Sequence, residues 1–510
     1  MAGGGSAPSL LLALPANCLQ AVLQCCAANG QRSLFSAARA HSRLHQASLG
    51  ALQTIDAPLC EQQQADSLLL FLAKYADHID ILNVWKAASA HPYTTIRLRQ
   101  LPRSLRLCSL YLHEVQLRPG RAFKGMLGAV GVGDLQALRL HDCCMPNWPT
   151  AEALAAALWQ LTALQFLSIE DMSVDCYDSD CDSDDVGGDF QFPTAVFLQL
   201  QQLTYLHLAG VEFEGPGEDT GPDLQPLQAL TGLSVLKLRE WDATDDSITA
   251  SMLSGMQHLT HLEVEDPPHE GVVEPGVLAG KTRLQHLELR GLRWAPASVA
   301  ELLLNLQHLQ ELTYLDLANS MEVMQEGSIL AAAFSALTAS SKLDFLDLSD
   351  NRLPESIWPH IFPAGRRLPH LETLVITDVQ TPDGDWGPPP DGSLLVSCCP
   401  ALQDLHMKQL NYTAELLAPL QGLSALRSLW LAHSDNNKEH TWEGLGKAVG
   451  QLTGLRQLSM DFPTAEGLLL QLTQLKQLTA LTCRCVMDGA RYAEEVKLRS
   501  MAHTTHRVSC

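Results

Sequence analysis

The residue types that carry out chemistry are present in this chain, but their spacing matches no common catalytic or metal-binding motif. There is no His-Glu-x-x-His, no glycine-rich phosphate loop ending in Gly-Lys-Ser/Thr, and no Gly-x-Ser-x-Gly. Cys483, Cys485, His503 and His506 come nearest to a zinc ligand set, but their spacing fits no common zinc site. Cys483 also takes an apolar position of a repeat. The sequence therefore predicts no catalysis, no metal site and no cofactor.

The densest group of oxygen ligands is the acidic segment 175–189, in which aspartates alternate with Cys, Tyr and Ser. This alternation is similar to a calcium loop, but Ser183 stands where the EF-hand loop requires glycine, and no helix pair flanks the segment. We predict a solvated acidic loop. The alternative is phosphorylation at Ser179 or Ser183, since acids that follow a serine suit acidophilic kinases.

A pattern of three apolar residues, Leu-x-x-Leu-x-Leu, organises the chain from residue 107 onward. Fourteen copies follow one another, from Leu107-Leu110-Leu112 to Leu478-Leu481-Cys483. Twelve of the thirteen steps between copies are 23 to 31 residues long, and the longer step of 39 contains the acidic segment. Such regularity indicates a repeat architecture in which each copy is one structural unit.

One copy, residues 343–353, fits every position of the pattern L-x-x-L-x-L-x-x-N/C-x-L, with Asn351 at the polar position. Residues 135–143 form the variant with cysteine. The chain therefore resembles leucine-rich-repeat proteins, in which each strand and its return segment bury their apolar faces only against a neighbouring unit. The resemblance implies an α/β solenoid, a horseshoe with a parallel concave sheet and mixed helices and loops on the convex side.

The repeats also set the expected domain boundaries. A small all-α module precedes the solenoid, and residues 79–84 form a degenerate first repeat that we expect to pair with the first full one. The predicted domains are residues 1–56 (helical module), 57–106 (connecting helices and degenerate repeat), 107–485 (about fourteen repeats, with the acidic insertion) and 486–510 (C-terminal cap or tail).

Alternate strand residues point away from the leucine core, so the third, fifth and seventh pattern positions should line the concave face. Adjacent carboxylates there repel one another unless Lys237, Arg239, Arg290 or an external cation compensates them. We predict that this face binds a protein segment with basic residues and an apolar anchor. The alternative is an ordinary polar strand face of an acidic protein. The predicted substrate-binding residues are Phe166, Tyr205, His207, His261, Glu263, His286, Glu288, Tyr314, Asp316, Phe345 and Asp347.

The N-terminal residues do not carry the repeat. A Leu-Pro pair precedes one helical face, Asn29-Gly30 breaks the pattern, and a second helical face follows. This order resembles the F-box, the module that docks the Skp-family adaptor of cullin-based ubiquitin ligases. The alternative is a cap that covers the first repeat. The resemblance implies that the adaptor-binding residues are Leu14, Pro15, Leu19, Val22, Leu23 and Leu44.

The charge of the chain indicates which classes of partner to expect, and its cysteine content indicates the cellular compartment. Acidic residues outnumber basic ones 57 to 34, and the net charge of -23 disfavours nucleic acid and anionic membranes as partners. The fourteen cysteines include adjacent pairs such as Cys143-Cys144 and Cys398-Cys399, which suit free buried thiols. We therefore expect a reducing compartment, the cytoplasm or the nucleus.

These observations favour a protein that is not an enzyme. The preferred hypothesis is the substrate-recognition adaptor of a cullin-type (SCF) ubiquitin ligase, which binds the Skp-family adaptor and the cullin ligase through its N-terminal module and a protein substrate on the concave face. The competing hypothesis is a leucine-rich-repeat interaction scaffold or intracellular sensor with no link to ubiquitin.

Overall fold

The structure of the chain is a computed structural model. The described residues are 53–90, 96–98, 101–102, 105–117, 134–144, 156–172, 191–213, 224–241, 248–265, 272–294, 299–321, 333–408, 410, 413–432, 442–461, 472–483 and 508–509. Some residues singled out above lie outside these ranges, so their predicted roles stay predictions. They are Leu14, Pro15, Leu19, Val22, Leu23, Leu44, Ser179, Ser183, Cys485, His503 and His506.

The described residues form two compact units, and each contains parallel strands that pair in chain order. The first unit holds the described residues of Met1–Leu233 and Glu240–Thr244; the second holds those of Ser234–Arg239 and Asp245–Cys510. Strands of successive repeats lie side by side because each repeat buries its leucines against the next. The fold is the predicted α/β leucine-rich-repeat solenoid.

In the first unit, the main sheet has the strand order β1-β2-β4-β6-β7-β9, and every pairing in it is parallel. The short strands pair separately, β3 with β5 and β8 with β10. The bounds are β1 (Thr54–Leu59), β2 (Ile81–Lys86), β3 (Arg97–Leu98), β4 (Ser109–His113), β5 (Gln116–Leu117), β6 (Ala137–His141), β7 (Phe166–Glu170), β8 (Gln191–Phe192), β9 (Tyr205–Ala209) and β10 (Glu212–Phe213).

In the second unit, the main sheet begins at β11 and continues in chain order to β23, again with parallel pairs; β13 and β15 pair apart from it. The bounds are β11 (Val235–Arg239), β12 (His261–Glu265), β13 (Val272–Val273), β14 (His286–Arg290), β15 (Arg293–Trp294), β16 (Tyr314–Asp316), β17 (Phe345–Asp347), β18 (Thr373–Val375), β19 (Asp404–Lys408), β20 (Ser428–Ala432), β21 (Gln457–Asp461), β22 (Ala480–Cys483) and β23 (Val508–Ser509).

The core is made by the leucine pattern. In the first thirteen copies, the residues at all three pattern positions are no more than 3% exposed. Strand register places equivalent positions side by side, so that Leu287 pairs with Leu315 and Leu315 with Leu346. Each copy therefore completes the apolar environment of its neighbour, as the sequence predicted.

The return segments are mixed, also as predicted. Several helices begin at a side-chain cap: Thr249 Oγ1 and Thr413 Oγ1 accept from backbone N–H groups, as does Asp391 Oδ1. Among the described residues, no helix is both long and apolar enough to cross a bilayer. The helices are α1 (Gln62–Tyr75), α2 (Ala250–Leu253), α3 (Val299–Leu306), α4 (Trp358–Ile361), α5 (Gly392–Cys398), α6 (Ala414–Leu417) and α7 (Trp442–Gly450), and the 3₁₀ turns are Ala76–His78, Thr194–Leu198, Gln225–Ala229, Pro275–Leu278, Phe334–Thr338 and Ala418–Gly422.

The backbone turns sharply just after the strand in many repeats. The residue two positions after the last pattern leucine has a positive φ, between 44° and 68°. Glycine, Asn and Asp tolerate this left-handed conformation best, which explains why polar residues recur there. The residues concerned are Glu114, Asp142, Asp171, Gly210, Glu240, Gly291, Asn319, Asp350 and Asp378.

The start of the first sheet differs from expectation. The degenerate repeat does form a strand, β2, and it pairs with β4 as predicted, Leu82 beside Leu110. A further strand, β1, pairs with β2 in parallel. The sequence analysis missed β1, which runs through residue 56, where it placed the end of the helical module. The sequence carries only a weak form of the pattern here, Leu52-x-x-Ile55-x-Ala57, in which Ile55 and Ala57 lie beside Leu82 and Val84.

The polar position of the repeat is occupied as the pattern requires. Asn351 is 1% exposed, donates to the carbonyls of Leu317 and Leu348, and accepts from the N–H groups of Ser320 and Met321. Its side chain therefore satisfies the backbone at a turn that no strand pairing covers.

The cysteine variant of that position, Cys143, directs its sulfur toward the carbonyls of Leu112 and His141. Cys143, Cys398 and Cys399 are free and buried, as predicted. Cys144, in contrast, forms a disulfide bond, so the prediction of free thiols is wrong at this residue. Side chains of adjacent residues in extended backbone point to opposite sides. The Cys143 sulfur can therefore be buried while the Cys144 sulfur forms its disulfide bond on the other side.

Candidate interaction surface on the repeat strands

Four stacked rings run across neighbouring strands of the second unit. His261 lies beside His286, His286 beside Tyr314, and Tyr314 beside Phe345. The ring centroids are 5.4, 4.0 and 4.2 Å apart along the series, with interplanar angles of 18°, 9° and 4°. All four side chains are partly exposed. We call this row the ring ladder; it stacks because parallel strands hold equivalent residues about 4.8 Å apart.

Beside the ring ladder runs a row of carboxylates from the fifth pattern position. Strand register aligns Glu263, Glu288, Asp316 and Asp347 in that order. The first three are only 1%, 6% and 3% exposed. These groups lie on the face opposite the leucines, but side chains of neighbouring repeats cover them. Buried carboxylates are costly unless cations or hydrogen bonds compensate them.

At one end of the row, cations of the same chain provide that compensation. Lys237 Nζ lies 2.7 Å from Glu263 Oε2, and Arg239 Nε pairs with Glu263 Oε1. Arg239 Nε is also 3.2 Å from Glu265 Oε2. Burial alone would raise the pKa of Glu263, but the hydrogen bonds and charges of Lys237 and Arg239 lower it. Glu263 is therefore a paired, ionised group.

At the other end of the row, the nearest cation among the described residues is farther from the carboxylates. Arg290 Nη1 is 2.8 Å from Glu265 Oε1, whereas its Nε reaches Asp316 Oδ2 only at 3.9 Å. Burial and the adjacent charge of Asp347 raise the pKa of Asp316 to about 7, although Ala318 N–H donates to its Oδ1. Asp316 is therefore poised between its neutral and charged forms near neutral pH.

Three further aspartates, Asp347, Asp350 and Asp378, also have raised pKa values because they are partly buried. Burial raises the pKa of Asp347, although Ser349 N–H donates to its carboxylate at 2.8 Å. Burial and the charge of Asp350 raise the pKa of Asp378 to about 6, and Lys408 opposes this only in part. The sequence analysis did not single out Asp350 and Asp378. We call the group the acidic end; it consists of Asp316, Asp347, Asp350 and Asp378.

The predicted residues of the first unit are arranged differently. Phe166 and Tyr205 stack with centroids 4.2 Å apart. His207 is 9% exposed, and its Nδ1 lies 3.2 Å from Glu170 Oε1. Burial would raise the pKa of Glu170, but hydrogen bonds from His207 and Ser168 hold it at about 2. Strand register brings these residues together, and the sequence analysis missed Glu170 and Ser168.

Ser168, His207 and Glu170 are the residue types of a hydrolytic triad, but their geometry differs from one. The Ser168 hydroxyl donates to Glu170 and lies 3.5 Å from the same ring nitrogen of His207 that faces Glu170. In a triad the imidazole separates the hydroxyl from the carboxylate, with one ring nitrogen toward each. The three side chains therefore form a structural hydrogen-bonded group.

A second stacked pair in the second unit was also missed. His406 on β19 lies beside Trp430 on β20, with centroids 4.7 Å apart. Lys408 Nζ lies 4.7 Å from the centroid of the Trp430 ring. Both rings occupy the fifth pattern position. The signal is present in the repeat alignment, but it lies outside the central copies from which the concave-face residues were predicted.

Comparisons with known proteins yield structural neighbours only. No family model matches the chain, and no curated protein matches it. An internalin (inlF) from Listeria monocytogenes is 12% identical, with a TM-score of 0.38 over 71% of this chain and 85% of that one. A chain in the octameric complex of latrophilin 3, Unc5D and the leucine-rich-repeat protein FLRT2 is 14% identical, with a TM-score of 0.31 over 80% and 84%. Internalin C2 from L. monocytogenes is 18% identical, with a TM-score of 0.28 over 51% and 84%.

Proposed function

We propose that the chain is a protein-binding scaffold that holds a partner segment on the ring ladder and the acidic end. The observation that carries this proposal is their juxtaposition: Tyr314 and Phe345 offer stacked, partly exposed rings beside Asp316 and Asp347, whose pKa values are raised by burial. Rigid aromatic side chains supply apolar contact area at low entropic cost, and carboxylates favour a cation.

The charges and rings of this surface indicate which side chains the partner should carry. Glu263 is already paired with Lys237 and Arg239, so it has little to offer a basic ligand. A Lys or Arg of the partner should instead meet the acidic end. Its arrival would favour the ionised forms of Asp316 and Asp378, and an adjacent apolar side chain would cover Tyr314 and Phe345. The partner is thus a protein segment with a basic residue next to an apolar anchor.

Proximity labelling in cells tests this function. The test variant replaces Tyr314 and Phe345 with Ser, and the control replaces Leu304, a 47% exposed residue of α3, with Ser. All variants should first show similar thermal unfolding. We expect a set of labelled proteins to be lost from the test variant and retained by the control. Identical labelled sets would refute a binding role for the ring ladder.

The finer proposal is that this scaffold delivers its partner to a cullin-type ubiquitin ligase. It is supported by the resemblance of residues 14–48 to the F-box and by its position before the repeats. A pull-down with purified Skp-family adaptor should capture the wild type and fail with Leu14→Ala combined with Pro15→Ala. Absence of capture by the wild type would leave the scaffold without a ubiquitin link, which is the competing function.

A further inference from the structure

A cluster in the first unit combines two imidazoles with three carboxylates. His113 ends β4 and His141 ends β6, and strand pairing sets them side by side. Their rings stack with centroids 4.6 Å apart and an interplanar angle of 19°. The residue after each histidine is acidic, Glu114 and Asp142, and Asp171 stands at the equivalent position after β7. Neither the leucine pattern nor the proposed protein binding uses this cluster.

The Nε2 atoms of both histidines face one carboxylate. His113 Nε2 and His141 Nε2 each lie 3.5 Å from Asp142 Oδ2. On the outer sides, His113 Nε2 is 3.5 Å from Glu114 Oε1, and His141 Nε2 is 3.6 Å from Asp171 Oδ2. One ligand atom from each of His113, His141 and Asp142 falls within 4.8 Å of the other two.

The imidazole–carboxylate distances of 3.5 and 3.6 Å are typical of two ligands of one metal ion and are long for a hydrogen bond. An N–H···O hydrogen bond usually spans about 2.7–3.2 Å, shorter than all four distances. Two ligands held about 2.0–2.1 Å from a tetrahedral zinc ion are about 3.4 Å apart. Imidazole nitrogen and carboxylate oxygen are both donors that Zn²⁺ accepts. The three side chains therefore offer the donor set of a metal site, with ligand atoms close enough together to share one ion.

The charge of the cluster also favours a cation. In the part of the chain that the structure describes, no Lys or Arg forms an ion pair with Glu114, Asp142 or Asp171. The neighbouring Arg139 is engaged elsewhere, since its Nη2 lies 3.2 Å from Glu170 Oε1. The residue after each strand has a left-handed backbone, which favours Asp and so explains Asp142 and Asp171. The same conformation is less favourable for Glu, so it does not explain Glu114.

We propose that His113, His141 and Asp142 bind a divalent metal ion of the zinc class, with either Glu114 or Asp171 as a fourth ligand. No metal-binding motif marks this site in the sequence, because the histidines are 28 residues apart and belong to different repeats. Cys143 is not a ligand, since its sulfur faces backbone carbonyls.

A similar set in the second unit provides an internal contrast. One ligand atom from each of Glu263, His286 and Glu288 also falls within 4.8 Å of the others. There, however, Lys237 and Arg239 already pair with Glu263. These side-chain cations neutralise the carboxylate that a metal would need. We therefore assign metal binding to the first cluster alone.

Calorimetric titration of the full chain with Zn²⁺ tests the site. Because the chain's cysteines also accept zinc, the informative quantity is the difference between variants. We expect the wild type to bind one more Zn²⁺ than the double variant His113→Ala with His141→Ala, and Zn²⁺ to raise the unfolding temperature of the wild type more. His286→Ala and His406→Ala serve as controls and should match the wild type.

Asp142→Asn gives a second test if the double variant does not fold. Asn tolerates the left-handed backbone of this position, so the variant removes charge without new strain. We expect it to weaken binding at this site by at least about tenfold. Equal zinc stoichiometry and affinity in all variants would overturn the proposal, as would loss of the site in His286→Ala. Saturable binding of Mg²⁺ or Ca²⁺ in place of Zn²⁺ would overturn the assigned class of metal.

Discussion

Single buried polar residues hold the turns of this fold in place, and Asn351 is the clearest example. Its amide makes four hydrogen bonds to backbone groups of two repeats. Asn351→Ala would leave buried donors and acceptors unpaired, so we expect a loss of about 3 kcal/mol in the free energy of unfolding. Denaturant titration measures it. Asn83→Ala, which removes an exposed hydrogen bond to Asp56, should cost less than about 1 kcal/mol; equal costs would contradict the account.

The acidic end makes stability depend on pH. Asp316 has a raised pKa, about 7, so between about pH 4 and pH 7 the folded chain holds a proton that the unfolded chain has released. Stability from this group therefore falls as pH rises through that interval. Asp316→Asn keeps the acceptor oxygen for Ala318 N–H and removes the charge.

We expect Asp316→Asn to be more stable than the wild type by about 1–2 kcal/mol at pH 8 and to show no gain at pH 4. Denaturant titrations at both pH values measure this difference. The matched control is Glu263→Gln, which removes a paired carboxylate and should destabilise at pH 8. An Asp316→Asn variant that loses stability at pH 8 would show that the charged form is the stabilising one.

Some residue-scale features could be predicted from the sequence and others could not. The three leucine positions could, because one periodic pattern fixes both the strand and its buried face. Lys281 shows the opposite case: it is 2% exposed at a position where other copies place Leu309 or Leu368. Desolvation lowers its pKa. Its burial is unexpected from the residue type, because a lysine is rarely fully buried without a partner.

At the scale of elements, helix α3 shows how a return segment is anchored. Leu303 is fully buried in the repeat core, whereas its neighbour Leu304 is 47% exposed. We expect Leu303→Ala to cost about 2–4 kcal/mol because it leaves a cavity, and Leu304→Ala to cost less than about 1 kcal/mol. Chemical denaturation of the two variants compares them. Similar costs would mean that α3 is not held by this buried face.

Other element-scale features needed the structure. Strand β1 has only a weak form of the repeat pattern, with alanine at the last position, so its pairing with β2 was needed to identify it. The burial of Glu263 and Glu288 depends on side chains from neighbouring strands, which a single strand does not reveal. The cluster of His113, His141 and Asp142 depends on register and on a left-handed residue after each strand. The repeat spacing places the two histidines at the same pattern position, but it does not give the side-chain directions that bring Asp142 between them.

At the scale of the whole molecule, the net charge of -23 should govern how partners approach. A basic protein segment is attracted over several ångströms, and salt screens this attraction. Once a partner is identified, we expect its association rate to fall by about tenfold between 50 mM and 500 mM salt, with a smaller change in the dissociation rate. Stopped-flow or surface-binding kinetics measure both. A rate that salt leaves unchanged would mean that charge does not guide binding.

The claim on which the account depends most is that the ring ladder contacts another protein. Photo-cross-linking from a benzoylphenylalanine placed at Phe345 in cells tests it directly, with the same probe at exposed Leu304 as the control. We expect a discrete protein adduct from position 345 that is absent from position 304. No adduct from 345, or the same adducts from both positions, would contradict the claim.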